Sequence, residues 1–119
     1  MRELLARTAV AAVAAVIVNV LVRAIAIAVF EIPETFEEHL ALRAVVLSTL
    51  GGVLAAAAVY AAIRRTRTFV IVAAVALVLS LAAPLSVSDD GNAASVGTLM
   101  LMHVTTAAIV VLVFTRAAR

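Results

Sequence analysis

The chain contains no cysteine, no tryptophan and no lysine. Without cysteine there are no disulfides, thiolate metal sites, iron–sulfur clusters or cysteine nucleophiles. Its two histidines, His39 and His103, are too few for a transition-metal cage unless carboxylates join them, so neither metal nor cofactor is expected. Charge is also scarce. Asp, Glu, Lys and Arg make up 13% of the 119 residues, against about 25% in an average soluble domain. No serine triad, phosphate loop or zinc-binding helix can be read, and an enzyme is not expected. What fills the chain instead is hydrocarbon: 66% of residues are hydrophobic and the mean hydropathy is +1.25. No water-soluble fold of this length hides that much apolar surface, so lipid is the solvent.

The apolar residues fall into four runs, at 5–30, 42–63, 68–85 and 93–114. Each approaches or exceeds the roughly 20 residues that a helix needs to cross the hydrocarbon core. Ile32-Pro33-Glu34 ends the first, and Arg64-Arg65-Thr66-Arg67 divides the second from the third. Ser86 to Asn92, rich in turn formers, divides the third from the fourth. The runs are continuous rather than alternating, which argues against the strands of a barrel. The expected fold is all-α: one integral-membrane four-helix domain over residues 1–119.

Orientation follows from the arginines of the short loops. One side of the four-span arrangement collects Arg2, Arg7, Arg64, Arg65, Arg67, Arg116 and Arg119. The other holds Glu31, Glu34, Glu37, Glu38, Asp89 and Asp90, with Arg43 alone opposing them. A multi-pass protein of the cell membrane with both termini cytoplasmic is therefore expected. The same sorting explains the pI near 10.5 without a nucleic-acid partner. Met1-Arg2, an apolar core and Ala24-Ile25-Ala26 also suggest a cleaved signal peptide. Arg23 before that site, and the apolar run continuing to Phe30, favour a retained span.

Inside the spans three residues are costly to place in lipid: Asn19 and Arg23 in the first, His103 in the fourth. Asn19 and Arg23 are four apart and share a helix face with Thr8, Ala12, Ala15 and Ala26. At about 1.5 Å per residue, Asn19 and His103 fall within roughly 3 Å of one depth. Arg23 lies about 6 Å nearer the acidic side than Asn19. From there it can reach towards Glu31, or inward towards Ser95, Thr98 and the imidazole. Two readings compete. In one, Asn19, Arg23 and His103 form a structural clasp between the first and fourth helices. In the other, they bind an anionic headgroup or substrate, or gate protons, with Arg23 and His103 sharing one hydrated pocket. The lack of an intramembrane carboxylate favours the clasp.

Span two carries Ser48, Gly51, Gly52, Ala55 and Ala56, whose small-xxx-small spacings permit close helix approach. Contact within the monomer is the expectation, with a second copy as the alternative. Tyr60 and Phe69 are expected as interfacial anchors, and Arg64, Arg65 and Arg67 as partners of anionic lipid headgroups. His39 and Arg43 are expected at the solvated start of the second span.

In size and topology the chain resembles small multidrug resistance transporters, but it has no glutamate in its first span. It is similar in length to fluoride channels, whose glycine-rich opening it lacks. A closer resemblance rests on Asn19-Val20-Leu21-Val22-Arg23, Arg64-Arg65-Thr66-Arg67 with Phe69, Ser80-Leu81-Ala82-Ala83-Pro84 and Met102-His103-Val104. On these residues the chain resembles a domain-of-unknown-function family of small four-helix membrane proteins from actinobacteria and haloarchaea. The resemblance implies the same topology, points to the same Asn, Arg and His, and brings no activity. The expected role is an accessory or scaffold membrane component, in contact with the bilayer and another membrane protein or itself. The alternative is a small carrier or channel for an anion or lipid.

Overall fold

The computed structural model describes residues 1–116; Arg119, assigned above to the basic side, lies outside them. Four long helices dominate, and each is long and apolar enough to cross a membrane. The first, α1 (Arg2–Val29), ends where Phe30 turns extended, with φ −111° and ψ 153°, three residues before Pro33. A one-turn helix, α2 (Glu34–Glu37), and a 3-10 turn through Leu40 lead into α3 (Leu42–Ile63). The hairpin to α4 (Thr66–Ser80) turns on Arg64, which holds a left-handed φ of 54° and donates its amide to the Tyr60 carbonyl at 2.8 Å.

The third span is broken. Beyond α4, Leu81 interrupts the helix before α5 (Ala82–Ser86) completes the crossing. Proline lacks an amide hydrogen and its ring collides with the carbonyl four residues earlier. For Pro84 that carbonyl belongs to Ser80, where α4 ends. The last helix, α6 (Ala93–Arg116), starts with a reciprocal cap. The Ser95 amide donates to Asn92 Oδ1 at 2.9 Å, and the Asn92 amide donates to Ser95 Oγ at 2.8 Å.

The molecule measures 43 × 23 × 18 Å, and its long dimension matches a bilayer with its headgroup regions, about 40–45 Å. α1 is sandwiched between α3 and α6. Its buried positions, Ala11, Ala15, Asn19 and Ala26, are mostly small, which lets both neighbours approach closely. Its opposite face, with Val13, Ile17, Leu21 and Ile25 more than half exposed, is aliphatic. Such a face suits lipid and not water. α4 leans on α6, makes a thinner seam with α3, and thereby leaves a gap among the three helices.

Two buried clusters close the ends. At the basic end Phe69 and Phe114 pack with Ala11, Ala15, Val53 and Val110. Tyr60 stands edge-on to Phe69 with centroids 5.1 Å apart. Phe69, expected at the lipid interface, is instead 1% exposed. Arg7 covers this cluster: its Nη1 donates to Tyr60 Oη and to the Phe114 carbonyl, each at 3.2 Å, and Nη2 meets Glu3 at 2.9 Å. At the acidic end Phe36 and Leu40 plug the bundle against Val45 and Met102. Gly91 makes this plug possible, because a Cβ there would stand 2.5 Å from Phe36 Cδ2 and 2.4 Å from Ser95 Oγ.

Candidate functional site

Asn19 is 1% exposed and sits where α1, α3 and α6 meet. Its amide nitrogen donates to Thr49 Oγ1 on α3 at 2.9 Å and to Thr106 Oγ1 on α6 at 2.8 Å. Its carbonyl oxygen accepts from Thr105 Oγ1 at 2.7 Å. Both amide protons and one acceptor position are therefore filled by hydroxyls of two other helices. In hydrocarbon each of these groups would otherwise have nothing to bond. Thr106 is doubly used: it also donates to the Met102 carbonyl at 2.8 Å. This is a clasp, but its partners are not the ones the sequence suggested.

Arg23 and His103 do not join it. Arg23 Nε donates to the Leu40 carbonyl at 2.7 Å, tying α1 to the turn before α3. Its recess, lined by Ile27, Phe30, Ile32, Glu37 and Leu40, is separate from the one that holds His103. A shared Arg23–His103 pocket is thus corrected: Arg23 has been drawn to the acidic end by a backbone acceptor. His103 Nδ1 donates to the Leu99 carbonyl of its own helix at 2.7 Å, since that oxygen can only accept. With Nδ1 as the donor, Nε2 is the ring nitrogen left to meet a ligand.

The remaining expected contributors serve the frame. Glu31 offers its backbone carbonyl to Asn92 Nδ2 at 2.9 Å, and no bond joins it to Arg23. Ser95 caps α6, and Thr98 donates to the Ala94 carbonyl at 2.7 Å. His39 meets Phe36 edge-on at 5.1 Å and lies 3.5 Å from Asp90, so it belongs to the plug and not to a free helix start.

The small residues of α3 give the second correction. Ser48, Gly52, Ala55 and Ala56 do not seat a tightly crossing helix; they form one wall of a cavity of about 420 Å³. A Cβ on Gly52 would only just touch Thr106 Cγ2 at 3.9 Å, and one on Gly51 would meet nothing. The reason lies in α4, whose Val72, Ala73, Ala76 and Ser80 form the facing wall while the helix itself docks on α6. Met102, His103, Thr106 and Ala107 of α6 supply the third wall, and Asn19 reaches the cavity from α1.

A model of a family of unknown function, DUF6069, matches residues 1–119. The chain belongs to that family. No curated protein and no solved structure matches it. Membership in DUF6069 fits the four apolar helices and carries no biochemical role, so the chemistry must come from the bundle itself. Within this DUF6069 chain sequence reasoning found Asn19 and missed Thr49, Thr105 and Thr106. A signal was available for Thr106. Ser95, Thr98, Met102, Thr106, Val110 and Phe114 recur every three or four positions along α6, which places hydroxyls on its inward face.

Proposed function

We propose that this protein is an accessory or scaffold component of the cell membrane that acts through neighbouring proteins and lipids and not by catalysing a reaction. The supporting observation is Asn19. The most polar group at the centre of the bundle is consumed by Thr49, Thr105 and Thr106, which suits a rigid frame better than a hydrated pathway. Both termini are cytoplasmic in this reading, with Arg64, Arg65, Arg67 and Arg116 towards anionic headgroups and Glu34, Glu37, Asp89 and Asp90 outside. The test is purification of the tagged protein from its native membrane in mild detergent, followed by native mass spectrometry. A stoichiometric foreign subunit supports the accessory role. A chain that always leaves the membrane alone or only with copies of itself refutes it.

The cavity among α3, α4 and α6 favours a second reading, a small carrier for a lipid. An anion is less well suited: the arginine that would recognise it, Arg23, bonds to Leu40 outside that cavity.

A further inference from the structure

We propose that the cavity among α3, α4 and α6 binds one neutral long-chain alcohol, alkyl or isoprenoid, drawn from the bilayer. This takes up the lipid reading of the cavity and does not depend on the accessory role.

The walls are graded. Towards the basic end they are hydrocarbon, with Val59, Phe69, Val72 and Val110; towards the acidic end they carry Ser48, Ser80 and His103. From Phe69 to Ser80 the α4 wall runs eleven positions, about 16 Å at helical rise. That is roughly half of a hydrocarbon core of about 30 Å. A volume of about 420 Å³ lies near the lower end of the roughly 300–1,000 Å³ typical of ligand sites. These dimensions suit a single chain better than a two-chain lipid. Left empty, such a space forfeits the dispersion contacts of everything lining it.

The polar half specifies the head. Ser48 donates its hydroxyl proton to the Ala44 carbonyl, and Ser80 donates to Leu77 at 2.7 Å. Thr106 donates to Met102 at 2.8 Å, and His103 donates from Nδ1 to Leu99 at 2.7 Å. What these four groups turn towards a ligand is lone pairs; His39 and Thr49 also line the cavity, the first beside Asp90 in the plug and the second in the clasp with Asn19. Among the described residues no arginine lines the cavity. With no arginine and these acceptors around the head position, the wall disfavours a carboxylate or phosphate and receives a hydroxyl. His103 Nε2 is the strongest acceptor of the set and belongs to a ring whose other nitrogen is already fixed. The alcohol therefore hydrogen-bonds to His103 and its chain extends between Ala73 and Val110 towards Phe69.

The test uses the purified full chain in maltoside micelles, with 1-hexadecanol, 1-methoxyhexadecane and hexadecane as probes. Native mass spectrometry reads retained adducts, and thermal melting checks that each variant is folded. One hexadecanol per chain is expected, held about fivefold more tightly than the ether that lacks the donor proton. His103→Leu is expected to abolish that preference while still admitting both chains. Ala73→Leu fills the void from α4 and Gly52→Val fills it from α3; each is expected to lose the adduct. Equal retention of alcohol and ether by the wild type overturns the assignment of the head. Undiminished binding by a folded filling variant overturns the assignment of the cavity. Neither failure touches the accessory role, which the subunit analysis tests separately.

Discussion

Asn19 and Thr106 are 87 residues apart in the chain, yet the amide nitrogen of one lies 2.8 Å from the hydroxyl oxygen of the other. Through this bond, and those to Thr49 and Thr105, α1 is tied at once to α3 and α6. The small residues flanking Asn19 on α1, Ala11, Ala15 and Ala26, set the distance, and the amide sets the register. Apolar packing in lipid has little directional preference, because lipid tails are as apolar as leucine. A single saturated amide therefore does what hydrophobic burial does in water.

Asn19→Leu keeps the volume and removes three interhelical bonds. Such bonds average about 0.6 kcal/mol in membranes, with a maximum near 1.7, so a loss of about 2 kcal/mol is expected. A titration of the folded bundle with dodecyl sulfate measures it. An unchanged midpoint would show that the amide is no clasp.

Gly91→Ala is expected to displace the acidic-end plug, because the new methyl would collide with the Phe36 ring and with Ser95 Oγ. Overpacking of this kind costs about 1–3 kcal/mol. The local readout is digestion by a glutamate-specific protease at Glu34, Glu37 and Glu38, which is expected to quicken well before the rest of the chain is cut. A digestion rate equal to that of the wild type would mean that Phe36 can repack.

Tyr60 is the sole tyrosine and tryptophan is absent, so the near-ultraviolet circular dichroism of the tyrosine reports on the basic end alone. The Arg7 guanidinium lies 5.9 Å from the Tyr60 ring centroid and donates to its hydroxyl at 3.2 Å. Arg7→Met is expected to weaken the Tyr60 band, whereas Arg23→Met, at the opposite end, leaves it intact. A band that ignores Arg7 would show that Phe69 and Phe114 alone hold the ring.

The spans were legible because lipid imposes one long apolar run per crossing: the range 42–63 read from the sequence coincides with α3. The break at Leu81 was not. A proline near a helix end, as Pro84 is, can close the helix or merely kink it, and the sequence does not choose. At the clasp, axial depth was readable and rotation was not. Rise per residue placed His103 level with Asn19, but each step along a helix also turns the side chain by about 100°. The face of α6 that turns inward carries Met102 and Thr106, and His103 falls to its side. Threonine is nearly silent in a hydropathy profile, so the true partners drew no notice. Nor could the α3 stripe of small residues announce a cavity, since the same residues serve close packing equally well. Only the docking of α4 on α6 decides between them.

The proposed dry clasp and the proposed cytoplasmic termini can be tested together. Because the chain has no cysteine, single thiols can be read without background. Thr49→Cys, Arg65→Cys and Asp89→Cys are exposed in turn to a membrane-impermeant maleimide, in intact cells and in inverted vesicles. The account predicts that Arg65→Cys reacts only from the cytoplasmic side, Asp89→Cys only from outside, and Thr49→Cys from neither. Labelling of Thr49→Cys from either side would reveal a water-filled path to Asn19 and contradict the account.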